Sequence, residues 1–256
     1  MSLLKRIRTF QLTTTGLRII GMLFLSAATY GIMLQTKLIG TGYMTNTHLL
    51  NLLEENPDVM AGITLSLVMQ LIGTCALPIF VFLLVEGAVH TSNYGKYILR
   101  VLGLAVACQL PYNMITTGST MYMTRLNPVF SMFMCLIMLY FFRSFSQKTA
   151  KHILIKVIAF VGVYLWSNML GVEHGACCVI LCFVMWALRG KQNLQTFIGI
   201  LVMFLCCIFS VFYMAGLIGF LALHFYEGNK GEENRLVNYL AYPVILMACG
   251  LMMGLM

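Results

Sequence analysis

Residues 61–91 read AGITLSLVMQLIGTCALPIFVFLLVEGAVHT, an apolar run that ends on a carboxylate and an imidazole four positions apart. A bilayer core about 30 Å thick is crossed by roughly 20 apolar residues in a helix. At 1.5 Å per residue the run from Ala61 to His90 would reach about 45 Å, so it must tilt, kink or begin on the membrane surface. Pro78 predicts a kink, because proline removes a backbone donor and the freed carbonyl has to be satisfied by neighbouring helices or enclosed water. Glu86 and His90 share one helical face. An ionisable group in a membrane segment is tolerated when it faces a polar cavity or a partner, so the stretch predicts a helix that lines something. The structural alternative for Glu86 is an ion pair with Arg100 or Lys96 across the short loop that follows.

Outward from this stretch the chain stays apolar. Of 256 residues 60% are hydrophobic and 9% charged, with a mean hydropathy of +0.89. A soluble domain carries about 25% charged residues, so a polytopic all-α bundle forming one domain over 1–256 is predicted. Apolar runs fall near 17–36, 60–89, 97–116, 127–142, 153–170, 175–188, 194–225 and 236–255. The run 194–225 is also overlong and predicts two short helices broken around Ser210 to Gly216, which makes eight or nine spans. No A-x-A-like cleavage site follows Ile19 to Leu34, so the first helix is expected to be retained.

Charge gives orientation. Lys5, Arg6, Arg8 and Arg18, then Lys96 and Arg100, then Arg143, Lys148, Lys151 and Lys156, then Arg189 and Lys191 occupy alternate loops. The positive-inside rule makes those loops, and the N-terminus, cytoplasmic. The opposite loops carry Lys37 with Glu54, Glu55 and Asp58, then Arg125, then Glu173. The net charge of +8 is therefore scattered among loops, which fits anionic lipid and not nucleic acid. Nine cysteines and twenty methionines sit in apolar stretches without C-x-x-C or M-x-x-M clustering, and read as packing residues with no metal site. The only long loop, Gln35 to Asp58, has a polar centre at Thr41 to Asn51 that reads as a surface lid or partner contact.

Polar groups within or beside the spans are few. Glu86 with His90 are the candidate catalytic pair; Asn127, Glu173, His174 and Tyr242 are further polar or cavity-lining candidates. His224 sits at a helix end, and the following Asn229-Lys230-Gly231 reads as a turn. The basic residues Arg100, Arg143, Lys148 and Lys151 could attract the phosphates of a nucleotide-carrying acyl donor, and equally satisfy the positive-inside rule. There is no P-loop, no G-x-S-x-G, no H-E-x-x-H and no dinucleotide fingerprint.

One ordered set of segments carries a family resemblance. It comprises Leu17-Arg18-Ile19-Ile20, then Leu77-Pro78-Ile79-Phe80 through Glu86-Gly87 to His90-Thr91, then Lys96-Tyr97 with Leu99-Arg100. Asn127 with Phe130, Glu173-His174-Gly175-Ala176, Tyr226-Glu227-Gly228-Asn229-Lys230-Gly231 and Tyr242-Pro243 complete it. In this order and spacing the chain resembles the TraX family, polytopic membrane proteins named for the conjugative-pilin acetylase. The resemblance implies acyl transfer from acyl-coenzyme A to an amine or hydroxyl of a peptide, glycan or lipid, in a bacterial cytoplasmic membrane. Such a reaction needs a base and an oxyanion stabiliser. The resemblance places an Asp-His pair late in the first helix, an Arg before the Pro-Ile-Phe motif and a His after the final Tyr-Pro. Here those positions hold Ala28-Thr29, Thr74 or a neighbour, and Ile245. The expectation is a catalytically degenerate homologue that binds a lipid or acyl ligand, or assembles with another membrane protein such as a transporter or secretion component. The alternative is an active acyltransferase using Glu86 and His90. A transporter subunit is the weaker reading, since no paired broken helices or internal repeat are visible in the sequence.

Overall fold

The structure, a computed structural model, describes residues 12–40, 54–121, 125–226, 228–229 and 235–255. Lys5, Arg6 and Arg8, the stretch Thr41 to Asn51, Glu227 and Lys230-Gly231 lie outside the described residues. Every regular element among those described is helical: α1 (Thr14–Ile39), α2 (Pro57–Gly73), α3 (Ala76–His90), α4 (Tyr94–Thr117), α5 (Pro128–Ser144), α6 (Ala150–Met169), α7 (Gly175–Ala187), α8 (Gln192–Cys206), a 3-10 turn (Val211–Met214), α9 (Gly216–His224) and α10 (Arg235–Leu255).

Local signals fix the boundaries. Thr13 caps α1 by accepting the Gly16 N–H at 3.2 Å, and Asn93 caps α4 by accepting the Lys96 N–H at 3.0 Å. The left-handed Gly118 closes α4 at φ 68°, a conformation cheap only for glycine. The long opening run is interrupted at Thr74-Cys75, one turn before Pro78. The proline ring clashes with the carbonyl four residues back, which is that of Thr74, so the kink expected at Pro78 appears where proline geometry puts it. The Thr74 carbonyl instead accepts the Leu77 N–H at 3.1 Å in a tight turn.

The overlong second run is likewise two helices. α8 and α9 fold back on one another, with Gly199 against Phe220 and Gly216 against Met203. Gln192 Nε2 donates to the Tyr226 carbonyl at 3.0 Å, joining the far ends of the hairpin. Its turn meets the α2–α3 break: the Thr74 hydroxyl donates to the Phe212 carbonyl at 2.8 Å and Cys75 Sγ to the Ala215 carbonyl at 3.0 Å. Two interrupted elements therefore do pair in space, which the sequence did not reveal.

The packing makes two walls. Helices α3, α5, α7, α8 and α9 share a core of Val81, Val85, Leu139, Phe142, Leu181 and Phe220. A smaller cluster from α1, α4 and α10 holds Met33, Cys108, Tyr112, Ile115, Tyr242 and Leu246. Outward faces are apolar too; on α6, Leu154, Val157, Ile158 and Leu165 are all exposed. A face of that kind is suited to lipid rather than water. Four segments, Thr14–Ile39, Pro57–His90, Tyr94–Thr117 and Ala150–Met169, are long and apolar enough to cross a membrane, and the others are shorter and apolar.

Candidate functional site

Between the two walls runs a cavity of about 1620 Å³. One face of α1 lines it through Thr14, Arg18, Met22, Leu25, Thr29 and Ile32; α3 contributes Leu77, Phe80, Leu84, Gly87 and His90 from the opposite side. The α1 set recurs every three or four residues, as a single helical face requires.

One end of the cavity is basic. Arg18 at the start of α1, Arg100 in α4 and Arg189 just after α7 line it, together with Glu86 and His90 at the end of α3. His90 Nδ1 lies 3.4 Å from Glu86 Oε2 and 2.9 Å from the Glu86 carbonyl oxygen. The His90 side chain is 64% exposed, against 28% for Glu86. The predicted pair thus exists on one face and sits in the mouth of the cavity rather than in its depth.

Of the four basic residues singled out in the sequence, Arg100 reaches the cavity. Arg143 is held elsewhere: its Nη1 donates to the carbonyls of Ala88 at 3.3 Å and Thr91 at 3.4 Å, and its guanidinium covers the Tyr94 ring at 5.7 Å. Lys148 and Lys151 are exposed around the α5–α6 connection. The cationic companions of Arg100 are instead Arg18 and Arg189, which the sequence presents only as orientation markers.

The opposite end is built from five separate elements. Tyr112 of α4 donates a short hydrogen bond to Glu173 Oε2, in the α6–α7 connection. His174 Nε2 lies 4.0 Å from Glu173 Oε1, and its Nδ1 lies 3.0 Å from the Tyr213 hydroxyl of the 3-10 turn. The α4–α5 loop closes the group, with the Glu173 N–H donating to the Leu126 carbonyl at 3.0 Å, next to Arg125. Tyr242 of α10 is buried and faces the same cavity. His174, at φ 58°, is the one non-glycine residue in the left-handed region among those described. Such strain persists where surroundings over-determine it, commonly at ligand sites. Nothing local in the sequence marks Tyr112 or Tyr213, which lie 61 and 39 residues from their partners Glu173 and His174.

Asn127, counted with the cavity-lining candidates on sequence, is a structural residue. Fully buried, it caps α5 by accepting the Val129 N–H at 3.0 Å, and donates through Nδ2 to the Ala105 carbonyl at 2.8 Å and Gln109 Oε1 at 2.9 Å. An Asn before Pro at a helix start does this work, and every polar atom is consumed inside the protein.

Between the ends the wall includes Ala28 and Thr29, where the resemblance calls for Asp and His, and Thr74, which with its neighbours marks where it calls for Arg. The fourth such position, Ile245, is not among the lining residues, although its neighbours Tyr242 and Leu246 are. None of Ala28, Thr29, Thr74 and Ile245 carries an ionisable side chain, and the first three line this cavity.

The profile of a family described as TraX protein matches residues 34–253. No curated protein and no solved structure matches the chain.

Proposed function

The chain belongs to the TraX family, and from that premise we propose that it is a bacterial cytoplasmic-membrane protein that binds an acyl donor with a phosphorylated head. The observation that carries this is the single cavity with Arg18, Arg100 and Arg189 at one end and an apolar stretch behind them. Arginine suits phosphate because its planar fork donates two parallel hydrogen bonds. The apolar middle, with Leu25, Ile32, Leu77 and Phe80, offers burial for an acyl chain. With Ala28, Thr29 and Thr74 in place of ionisable groups, transfer through the family's own positions is lost, and holding the donor or presenting it to another membrane protein is the working role. Saturable binding of acetyl-coenzyme A to the purified protein is the expected result; a flat titration overturns the reading.

Nine spans with a cytoplasmic N-terminus complete the proposal. The support is that Arg18, Arg100 and Arg189 line the mouth end, with Lys96 and Lys191 close to the last two in sequence, and that α8 and α9 are separate helices. In this arrangement a cysteine introduced at Asn229 reacts with an impermeant maleimide only after the membrane is breached, whereas one at Ser119 reacts in intact cells. The opposite labelling pattern would reverse the orientation, and labelling of both from outside would break the nine-span count.

A further inference from the structure

A second cluster of reactive atoms lies in the bundle core, outside the cavity lining. The cysteines are spread along the sequence without a metal-binding spacing, but the fold brings two of them to a methionine between α7 and α8. Cys177 Sγ lies 3.6 Å from Met203 Sδ, 26 residues on, and the thiols of Cys177 and Cys206 share a hydrogen bond. Met203 and Cys206 stand one turn apart on α8, hence on one face. All three side chains are buried. Met203 is also clamped, because its methyl presses on Gly216, where a Cβ would lie 2.2 Å from it. A thioether ordinarily adapts its rotamer to fill gaps, and holding this one fixes its sulfur against Cys177.

We propose that Cys177, Met203 and Cys206 form a site for a soft monovalent metal ion of the Cu(I) class. Thiolate and thioether are soft ligands and select such an ion. A divalent ion fits poorly. Zn(II) takes four ligands in closed sites, and among the described residues no three His, Cys, Asp or Glu side chains gather to supply them. The spacing suits a metal–sulfur bond: an ion about 2.3 Å from two sulfurs 3.6 Å apart subtends roughly 100°, and a further opening of about 0.4 Å gives the trigonal 120°.

Charge balance supports the same ion. The ligand form of cysteine is the thiolate. As Cu(I) binds, one proton of the Cys177–Cys206 pair leaves to water and the other stays with the second sulfur. The ion and one thiolate then occupy the apolar core as a neutral unit, avoiding the cost of an unpaired buried charge. Cys178, next to Cys177 in the chain, and Tyr213 both line the cavity, so an ion in the cavity meets a thiol one residue from the site. The site is independent of the donor-binding reading.

The test uses the purified full-length protein in lipid nanodiscs, without oxygen, loaded with Cu(I) from its acetonitrile complex. The chelator bathocuproine disulfonate then competes, and its colour reports the copper removed. The wild type is expected to retain a single equivalent, and Cys177→Ala with Cys206→Ala to retain none. Met203→Leu, close in volume and without sulfur, is expected to weaken retention about 10–100-fold. Cys249→Ala, in the other wall, should match the wild type. In selenomethionine-labelled protein, X-ray absorption at the copper edge should show a selenium neighbour that Met203→Leu abolishes. A wild type that yields all its copper as readily as empty nanodiscs overturns the inference. So does an equivalent retained by the double Ala variant, or retention of Zn(II) in preference to Cu(I). If the double variant is not monodisperse, Met203→Leu decides: unchanged retention and unchanged selenium scattering overturn the site.

Discussion

Reversing two charges at the mouth, Arg100→Glu with Arg189→Glu, is expected to weaken acetyl-coenzyme A binding by at least 100-fold. Both residues line the cavity and are otherwise exposed, so the fold does not depend on them. A charge-assisted hydrogen bond contributes about 1.5–3 kcal/mol, and two lost together amount to roughly 3–6 kcal/mol, before repulsion by the new carboxylates. Replacement of both by Lys keeps the charge and loses the planar fork, so an intermediate loss is expected. Added salt should weaken the wild type progressively, because a solvent-open mouth is screened. Unchanged affinity in the double Glu variant at low salt would place the head of the donor somewhere other than this mouth.

The second large effect concerns the fold that holds the cavity open. A Cβ on Gly219 would overlap the Cys75 carbonyl oxygen and come within 2.6 Å of the Pro78 ring. Neither can give way: one is backbone at the α2–α3 break, and the other is a ring fixed by its own chain. Gly219→Leu must push α9 away from α3, at the upper end of the 1–3 kcal/mol typical of overpacking or beyond it. Loss of the monodisperse species in size-exclusion chromatography, or a fall of several degrees in Tm, is the expected result. Gly103→Ala and Gly162→Ala are the controls. Nothing lies within 4 Å of a Cβ at either site, and both are inside helices, where Ala is favoured over Gly by up to about 1 kcal/mol. A Gly219→Leu protein as stable as these controls would show that α9 does not pack on the break as described.

Much of the fold is legible because apolar length and proline act locally. The interruption near Pro78 follows from one ring and one carbonyl, and the division of 194–225 follows from a run too long for the bilayer. The start of α5 was equally local, since Asn127-Pro128 is a helix-entry signal; reading Asn127 as a cavity residue set its polarity above its position.

The site is another matter. Glu86 and His90 could be placed on one face by spacing alone, but spacing says nothing about depth, and His90 proves mostly exposed. Arg18 and Arg100 lie near the starts of α1 and α4 and Arg189 just after α7, positions that the positive-inside rule already explains, so only the fold shows that they share a cavity. The Tyr112–Glu173 and His174–Tyr213 contacts join residues 61 and 39 apart, and no periodicity connects them. The left-handed His174 also had no local cue, because Glu-His-Gly reads as an ordinary loop.

The central claim is that one cavity continues from the arginine mouth past Leu25 and Thr29 towards Glu173 and His174. It is tested most directly by titrating the protein in nanodiscs with thioether analogues of acyl-coenzyme A, from acetyl to octanoyl, with empty nanodiscs subtracted. Each methylene buried contributes about 0.8 kcal/mol, so affinity should rise roughly fourfold per methylene until the cavity is full. With Leu25→Trp plugging the middle, the rise should vanish while the mouth still binds coenzyme A itself. Affinity independent of chain length in the wild type, or a chain-length series unaltered by Leu25→Trp, would contradict a continuous cavity.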